Sequence, residues 1–168
     1  MSGASREAVA ARFVERMGGA LTDAGLPRLP SRVFAAIVVD DDGRMTAAEL
    51  AEALAVSPAA VSGAVNFLSQ IGFLHRERER GSRKDVYVVD DDAWHGAMMR
   101  RDQTYTPMTT ALTSALDGLG EDAPARHRLW LMREFLEFVN AEMDGVAERW
   151  QAHRRHLEAG RDTSDVAR

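Results

Sequence analysis

Two groups of side chains in the middle of the chain could bind an anionic polymer. The first group contains small and polar residues spaced along a predicted helix: Ser57, Pro58, Ala59, Ser62, Gly63 and Asn66, with Ala60 on the same predicted face. Serine and asparagine can hydrogen-bond phosphates and base edges, and asparagine suits adenine. Small residues also let a helix lie deep in a groove. The alternative is an ordinary amphipathic helix whose outer face is only solvated.

The second group is a cluster of cations that follows directly. From His75 to Lys84 five cations stand against two acids, a local charge of +3, whereas the whole chain carries −5. Positive charge concentrated on an acidic protein favours phosphate as its target. The residues of this group expected to contact DNA are Arg76, Arg78, Arg80, Ser82, Arg83 and Lys84. The alternative is an edge hairpin that carries charge only to prevent aggregation.

A pair of short helices is predicted to position the first group. Thr46 and Glu49 have the spacing of a capping box at the start of one helix. Ser57 is a good N-cap and Pro58 suits the first position of the next helix, which should run to about residue 70. Gly72 is the expected left-handed C-cap. The predicted buried face of this second helix is Val61, Val65 and Leu68.

A hairpin is predicted to hold the cations. Its first arm runs from Phe73 to Arg80, and its second, with alternating side chains, runs from Asp85 to Val89. Gly81 supplies the turn. A helix pair followed by a charged hairpin is the arrangement of a winged helix-turn-helix DNA-binding domain.

The same stretch resembles the MarR superfamily of bacterial transcription regulators, and more narrowly its GbsR-like branch. Residues 45–87, MTAAELAEALAVSPAAVSGAVNFLSQIGFLHRERERGSRKDVY, carry the superfamily pattern, and residues 25–39, GLPRLPSRVFAAIVV, resemble a segment of the branch. Ala55 and Ser31 stand where glycine is usual. The resemblance implies a mainly α fold with a small β-hairpin wing and long N- and C-terminal dimerisation helices.

Four segments are predicted along the chain. They are an N-terminal helical arm (1–29), a winged helix-turn-helix domain (30–90), a helical linker and dimerisation region (91–159) and a disordered tail (160–168). The first helix should cover residues 5–24 and bend at Gly18–Gly19. Ser31 is expected to cap the next helix. A further helix, 93–119, should kink at Pro107.

A heptad seam marks the C-terminal helix and indicates a dimer. A helix of about 35 residues would extend to roughly 50 Å, too long to bury its apolar stripe against one small domain. A second copy is the expected partner, giving a homodimer. Packing within the chain, against residues 5–24 and 93–117, is the alternative. The seam residues are Leu129, Met132, Leu136, Val139, Met143, Val146 and Trp150, continuing to His153 and Leu157.

An effector site is implied by the resemblance, at the junction between wing and dimer helices. The candidate lining residues are Trp94, Tyr105, Trp130 and Phe135. An aromatic cage of this kind could hold a quaternary ammonium ligand. The commoner interpretation of aromatics at helical spacing is that they belong to the core.

Composition restricts the remaining classes. The chain has no cysteine, so disulfides and thiolate chemistry are excluded. His153 and His156 are spaced i, i+3 without further ligands, and no metalloprotease, nucleophile-elbow or nucleotide-binding motif occurs, so no metal, cofactor or catalysis is expected. No apolar run approaches a membrane span and no signal-peptide core precedes the domain, which predicts a cytoplasmic protein.

Two functions therefore remain. The first is a homodimeric, sequence-specific transcriptional regulator, with repression the expected sign, on a pseudo-palindromic site whose half-sites lie about 34 Å apart or a multiple of it. The second is a winged-helix module that binds proteins and does not read DNA. The three cations of the hairpin tip favour the first, since a protein-interaction module has no need of them together with a small groove-facing helix.

Overall fold

A computed structural model describes residues 3–78, 84–90 and 105–165 of the chain. The chain divides into two compact units, residues 1–98 and 99–168. The first unit contains α1 (Gly3–Asp23), α2 (Arg28–Val39), β1 (Arg44–Thr46), α3 (Ala47–Leu54), α4 (Pro58–Gln70), β2 (His75–Arg78) and β3 (Asp85–Val88). The second contains α5 (Tyr105–Gly118) and α6 (Arg126–Asp165). The mainly helical fold with a small sheet is as predicted.

Helix α1 packs along α2 through a close approach at Gly18. A Cβ at Gly18 would lie 2.9 Å from Cγ of Arg32, so no larger residue fits without displacing that side chain. Arg32 in turn donates to Glu15 from Nε (3.1 Å) and Nη2 (2.7 Å). The structure therefore gives Gly18 a packing role, and the bend at Gly18–Gly19 stays a prediction. Gly25, with φ of 101°, follows the helix end.

Helix α2 begins four residues earlier than predicted. Its N-cap is Pro27 and its first residue is Arg28, so the expectation that Ser31 caps it is wrong. Ser31 lies fully buried inside the helix and its hydroxyl donates to the carbonyl of Pro27 over 2.9 Å. Pro30 is tolerated because the N–H groups of a first turn have no partner within the helix.

The two helices of the helix-turn-helix form as predicted. Thr46 and Glu49 make both halves of the capping box at the start of α3. Ala55 takes the left-handed conformation at the end of α3, with φ of 53°, which alanine tolerates at a small cost. Ser57 accepts a hydrogen bond from the backbone N–H of Ala60 (3.2 Å) and thereby caps α4. Gly72, with φ of 76°, is left-handed after α4.

The core of the first unit lies between α2, α3, α4 and the sheet. The predicted inner face of α4 is buried, and Ile37 and Leu50 are fully buried beside it. Phe34 and Phe73 meet edge to face, with ring centroids 5.1 Å apart. Each such side chain contributes on the order of 1.5–3 kcal/mol by leaving water, so this core fixes the direction of α4.

The sheet has three strands, one more than the predicted hairpin. Its order is β1-β3-β2 and all pairs are antiparallel. Val88 of β3 pairs with Arg44 on one side and His75 on the other. β1 is only three residues long and merges with the capping residue Thr46, which is why no alternating pattern reveals it. As the central strand, β3 buries Val86, Tyr87 and Val88.

The second unit contains a helical hairpin. Nη1 of Arg126, in the first turn of α6, donates to the carbonyls of Leu116 and Leu119, both over 2.8 Å, and so satisfies the end of α5. Pro107 lies in the first turn of α5 as described. Residues 93–104 of the predicted kinked helix lie outside the described residues.

Helix α6 is longer than predicted. It has 40 residues, about 60 Å at 1.5 Å per residue, and ends at Asp165. The sequence pattern predicts that the helix ends near residue 159 and that residues 160–168 form a disordered tail. Gly160 alone does not end the helix, since glycine costs only about 1 kcal/mol relative to alanine at an interior position.

No single described helix has both the length and the hydropathy of a membrane span. Only α3 and α4 taken together meet these two criteria, across a bend of 111°. Both belong to the helix-turn-helix, whose apolar faces form the core described above.

Candidate nucleic-acid interface

The outer face of α4 carries the predicted small and polar residues. Ser57, Pro58, Ala59, Ser62, Gly63 and Asn66 are all exposed. Val61, Val65 and Leu68 are buried on the opposite side. Ala60 is half-buried, so its assignment to the outer face is wrong. The helix therefore offers one continuous exposed face while its other side is held rigidly by the core.

The polar groups on this face differ in how far they are already engaged. Ser57 caps the helix, and the hydroxyl of Ser62 donates to the carbonyl of Pro58 over 3.1 Å. Both oxygens keep a lone pair that can accept. The amide of Asn66 has no hydrogen bond with any described residue, so it can both donate and accept at a base edge.

Gly63 lies at the centre of this face without a structural need for glycine. No atom lies within 4 Å of the position that a Cβ would take there. Glycine inside a helix costs about 1 kcal/mol relative to alanine. An intrinsic cost with no packing reason suggests that the missing side chain makes room for something outside the protein.

The exposed face of α4 extends one turn beyond the predicted set. Ser69 and Gln70 are exposed, and Gln70 follows Asn66 at i+4. Glutamine pairs with adenine in the same bidentate way as asparagine. The signal was present in the sequence, since positions 59, 63, 66 and 70 recur at steps of three and four.

The arginines of β2, Arg76 and Arg78, are exposed. Arg76 lies over the ring of Tyr87, with its guanidinium carbon 5.8 Å from the centroid, and Asp85 is 3.5 Å from its Nη2. A hydrogen bond with Tyr87, foremost, and the charge of Asp85 raise the pKa of Arg76. Arg78 makes no ion pair with the residues that the structure describes. Both side chains are therefore placed as cations on one arm of the wing.

The tip of the wing lies partly outside the described residues. Arg80, Ser82 and Arg83 belong to residues 79–83, which are not among them. Lys84 is described and exposed. The pKa of Glu49 is lowered first by its hydrogen bonds with Thr46, and the charge of Lys84 contributes to the lowering.

A charge network that the sequence analysis missed crosses the base of the wing. Nη2 of Arg44 lies 2.9 Å from Oε2 of Glu77, and Nε2 of His75 lies 3.1 Å from Oε1 of the same carboxylate. Nδ1 of His75 also lies 3.1 Å from Asp90. The hydrogen bond with His75, foremost, lowers the pKa of Glu77. Arg44 is distant in sequence from the other three residues and reaches Glu77 only because β1 joins the sheet.

The predicted dimer seam of α6 is partly buried within the chain. Leu136 is buried, Met132 is exposed, and the remaining members from Leu129 to Trp150 are half-buried. A neighbouring face is exposed instead: Leu131 (48%), Phe135 (64%) and Phe138 (64%), spaced i, i+4 and i+7. We call this face the α6 patch. The alternative of intramolecular packing thus accounts for part of the seam, and α5 provides it.

The four candidate effector residues do not form one cluster among the described residues. Trp94 lies outside them. Tyr105 begins α5, whereas Trp130 lies near the opposite end of the α5–α6 hairpin, roughly 13 Å away along the helices. The ring centroids of Trp130 and His127 are 5.9 Å apart, and Phe135 lies on the α6 patch. Within the described ranges, no group of three or more histidine and carboxylate side chains could hold a metal ion.

Comparison with known proteins gives matches to both halves of the chain. The family model described as "MarR family" matches residues 24–85. A second model, described as "MmpR5-like MarR family transcriptional regulator", matches residues 92–153. The chain is also similar to the HTH-type transcriptional regulator MmpR5 of Mycobacterium tuberculosis, with 31% identity over 128 residues, which cover 76% of this chain and 78% of the relative.

A solved structure agrees with the sequence relatives. A protein described as a transcriptional regulator superposes with a TM-score of 0.75 and 28% identity, covering 85% of this chain and 98% of that one. The agreement extends over nearly the whole of that molecule.

Proposed function

Because the chain belongs to the MarR family of winged-helix transcriptional regulators, we propose that it reads DNA with the outer face of α4 and holds the backbone with its wing. Its role is regulatory, and DNA binding is favoured over a protein-interaction module. The observation that carries the proposal is the exposed, small and polar face of a rigidly packed α4 beside exposed cations of β2. This combination suits a major groove and the phosphates next to it.

The proposed division of labour follows from charge. The described α4 carries no cation on its outer face, so it contributes little attraction to phosphate. Arg76, Arg78 and Lys84 supply that attraction, together with Ser82 and the tip residues Arg80 and Arg83. Base edges are approached by Asn66, Ser62 and Gln70. The N-terminus of α4, with Ser57, Pro58 and Ala59, approaches the sugar-phosphate backbone of the DNA.

The neighbouring charge network supports this division. Glu77 is the one acid within the described β2, and Arg44 of β1 pairs with it. The arginines of β2 are therefore left to act on DNA, apart from the longer contact of Arg76 with Asp85.

We propose that the regulator is a homodimer and that the α6 patch contributes to its interface. Leu131, Phe135 and Phe138 form one exposed apolar stripe that stops at Glu142, the next position on the same face. Exposed patches of this kind mark interaction surfaces. A two-fold interface presents the same patch from both chains. The seam residue Met132, 45% exposed, borders the patch and would be covered with it.

A two-fold dimer determines the form of the operator. Two recognition helices related by symmetry require a pseudo-palindromic site with half-sites about 34 Å apart or a multiple of that spacing. Repression is the proposed sign, because a dimer seated across such a site excludes other proteins from the same DNA. Control by a small effector and a cytoplasmic location complete the proposal.

The finer assignment, to the GbsR-like branch, also stays a proposal. Its support is the pattern of residues 25–39 and 45–87. The C-terminal half matches the MmpR5-like model instead, so the branch has to be tested by operator and effector.

Binding selection from a randomised pool of duplex DNA tests the proposal most directly. We expect enrichment of a two-fold symmetric site by the full-length chain. Asn66→Ala should change the preferred base at one symmetric pair of positions by about 1–3 kcal/mol and leave the others unaltered. Recovery of no common site would favour the protein-interaction module, and an unaltered preference would remove Asn66 from the reading set.

A further inference from the structure

A groove on the first unit lies outside the proposed DNA contacts. It runs between α1, α2 and α3 and has a volume of about 840 Å³. Its floor is apolar, with Val14, Val39, Met45 and Leu54. Small residues, among them Ala53 on α3, leave the space open. A ligand with a hydrophobic body would therefore lose water on entering it.

The rim of the groove is strongly acidic. Six carboxylates and only two guanidinium groups line it. Both guanidinium groups are already paired, Arg6 with Asp41 and Arg32 with Glu15. The excess of four negative charges surrounds an apolar floor, so the groove combines a hydrophobic surface with a demand for positive charge.

Two of the rim carboxylates have no charged partner among the described residues. Glu7 on α1 and Glu52 on α3 stand on different walls, and neither makes an ion pair with a described residue. The other two are engaged locally. Asp40 accepts from the backbone N–H groups of Asp42 and Arg44, and Glu49 completes the capping box. A cation between the walls would balance charge that nothing in the described chain balances.

We propose that this groove binds a lipophilic cation, an organic molecule with an apolar body and a permanent positive charge. Its apolar body lies on the floor and its charge between Glu7 and Glu52. Weakly hydrated cations with spread charge suit such a site best, because they lose little solvation when they leave water. The site lies within the first unit and contains none of the four aromatic residues considered above.

Calorimetric titration of the full-length protein tests the site with two probes of equal size and opposite charge. Tetraphenylphosphonium should bind at least tenfold more tightly than tetraphenylborate. The double substitution Glu7→Gln with Glu52→Gln should weaken tetraphenylphosphonium binding about tenfold, since two opposite charges are removed from its surroundings. Glu121→Gln with Glu148→Gln removes the same charge from exposed positions of the second unit and should leave the affinity unchanged.

A filled groove provides the second arm. Ala53 is exposed on α3, so Ala53→Phe should fold, occupy the space and abolish cation binding without altering the sedimentation coefficient. Equal binding of both probes, or full affinity in Ala53→Phe, would overturn the proposal. If the natural chain binds no cation and Ala53→Phe changes the sedimentation coefficient, then a second copy of the chain covers the groove and the cation proposal is wrong. Cation binding by a protein that binds no DNA would instead support the cation site and contradict the proposed DNA-binding function.

Discussion

Arg44 on β1 and Glu77 on β2 form a 2.9 Å ion pair although β3 lies between their strands. Both side chains are 45% exposed, so solvent screens the pair and it adds little to stability. Its main consequence concerns charge. Arg44 of β1 neutralises Glu77, the acid of β2. The positive charges of Arg76 and Arg78 are therefore not neutralised by Glu77 and remain available to a partner.

The wing cations should determine how steeply DNA binding depends on salt. Arg83→Ala with Lys84→Ala should weaken binding to every sequence and reduce the slope of log affinity against log salt by about two at most. Fluorescence anisotropy at several salt concentrations measures this. Arg12→Ala with Arg16→Ala, two exposed cations of α1, is the matched control. An unchanged slope in the wing variant would show that the wing does not touch phosphate.

Gly63→Ala should separate stability from function. A Cβ at Gly63 meets no protein atom, so the substitution should stabilise the fold by about 0.5–1 kcal/mol in chemical denaturation. DNA affinity should fall, because the added methyl occupies the surface that faces the groove. Gly19→Ala on α1 also meets no atom and should stabilise similarly while DNA affinity stays the same. If Gly63→Ala binds DNA as tightly as the natural chain, α4 does not approach DNA closely at this position.

The α6 patch should be essential for dimerisation. Phe135→Glu with Phe138→Glu places two charges on the stripe and should convert the dimer to a monomer in analytical ultracentrifugation, with loss of tight operator binding. Gln151→Glu with Ala152→Glu adds the same charge on exposed positions farther along α6 and should leave the dimer intact. A dimer that survives the first pair of substitutions would place the interface elsewhere, for example on the half-buried part of the seam.

Acid should loosen the start of α3 through Glu49. Hydrogen bonds with Thr46 lower the pKa of Glu49 below its ordinary value of 4.5. A lowered folded pKa means that the contribution to stability is present above pH 4.5 and is lost as pH falls through the folded pKa. Glu49→Gln should therefore show a smaller loss of stability between pH 6 and pH 3 than the natural chain, measured by urea denaturation. Equal losses in both proteins would assign the acid sensitivity to other groups.

The features that could be predicted from the sequence depend on residues that are close together in the chain. Thr46, Glu49, Ser57 and Pro58 define both helix starts through contacts within one turn, and the structure agrees at each of them. The outer face of α4 follows from helical periodicity, although Ala60 turned out half-buried and Gln70 was overlooked. The sequence predicts the wrong start for α2, because Ser31 is a residue type that often caps helices but the fold buries it inside the helix.

Sequence by itself determined the winged-helix class, the bounds of α4 and the concentration of cations after it, because these depend on periodicity, capping and local charge. Only the tertiary structure decided which charges remain available, which apolar face of α6 stays exposed and where an acidic groove opens. Those properties arise when β1 joins β3, when α5 covers part of the α6 seam and when α1 packs on α2 at Gly18. Each depends on contacts between segments distant in the chain, whose geometry no local pattern contains.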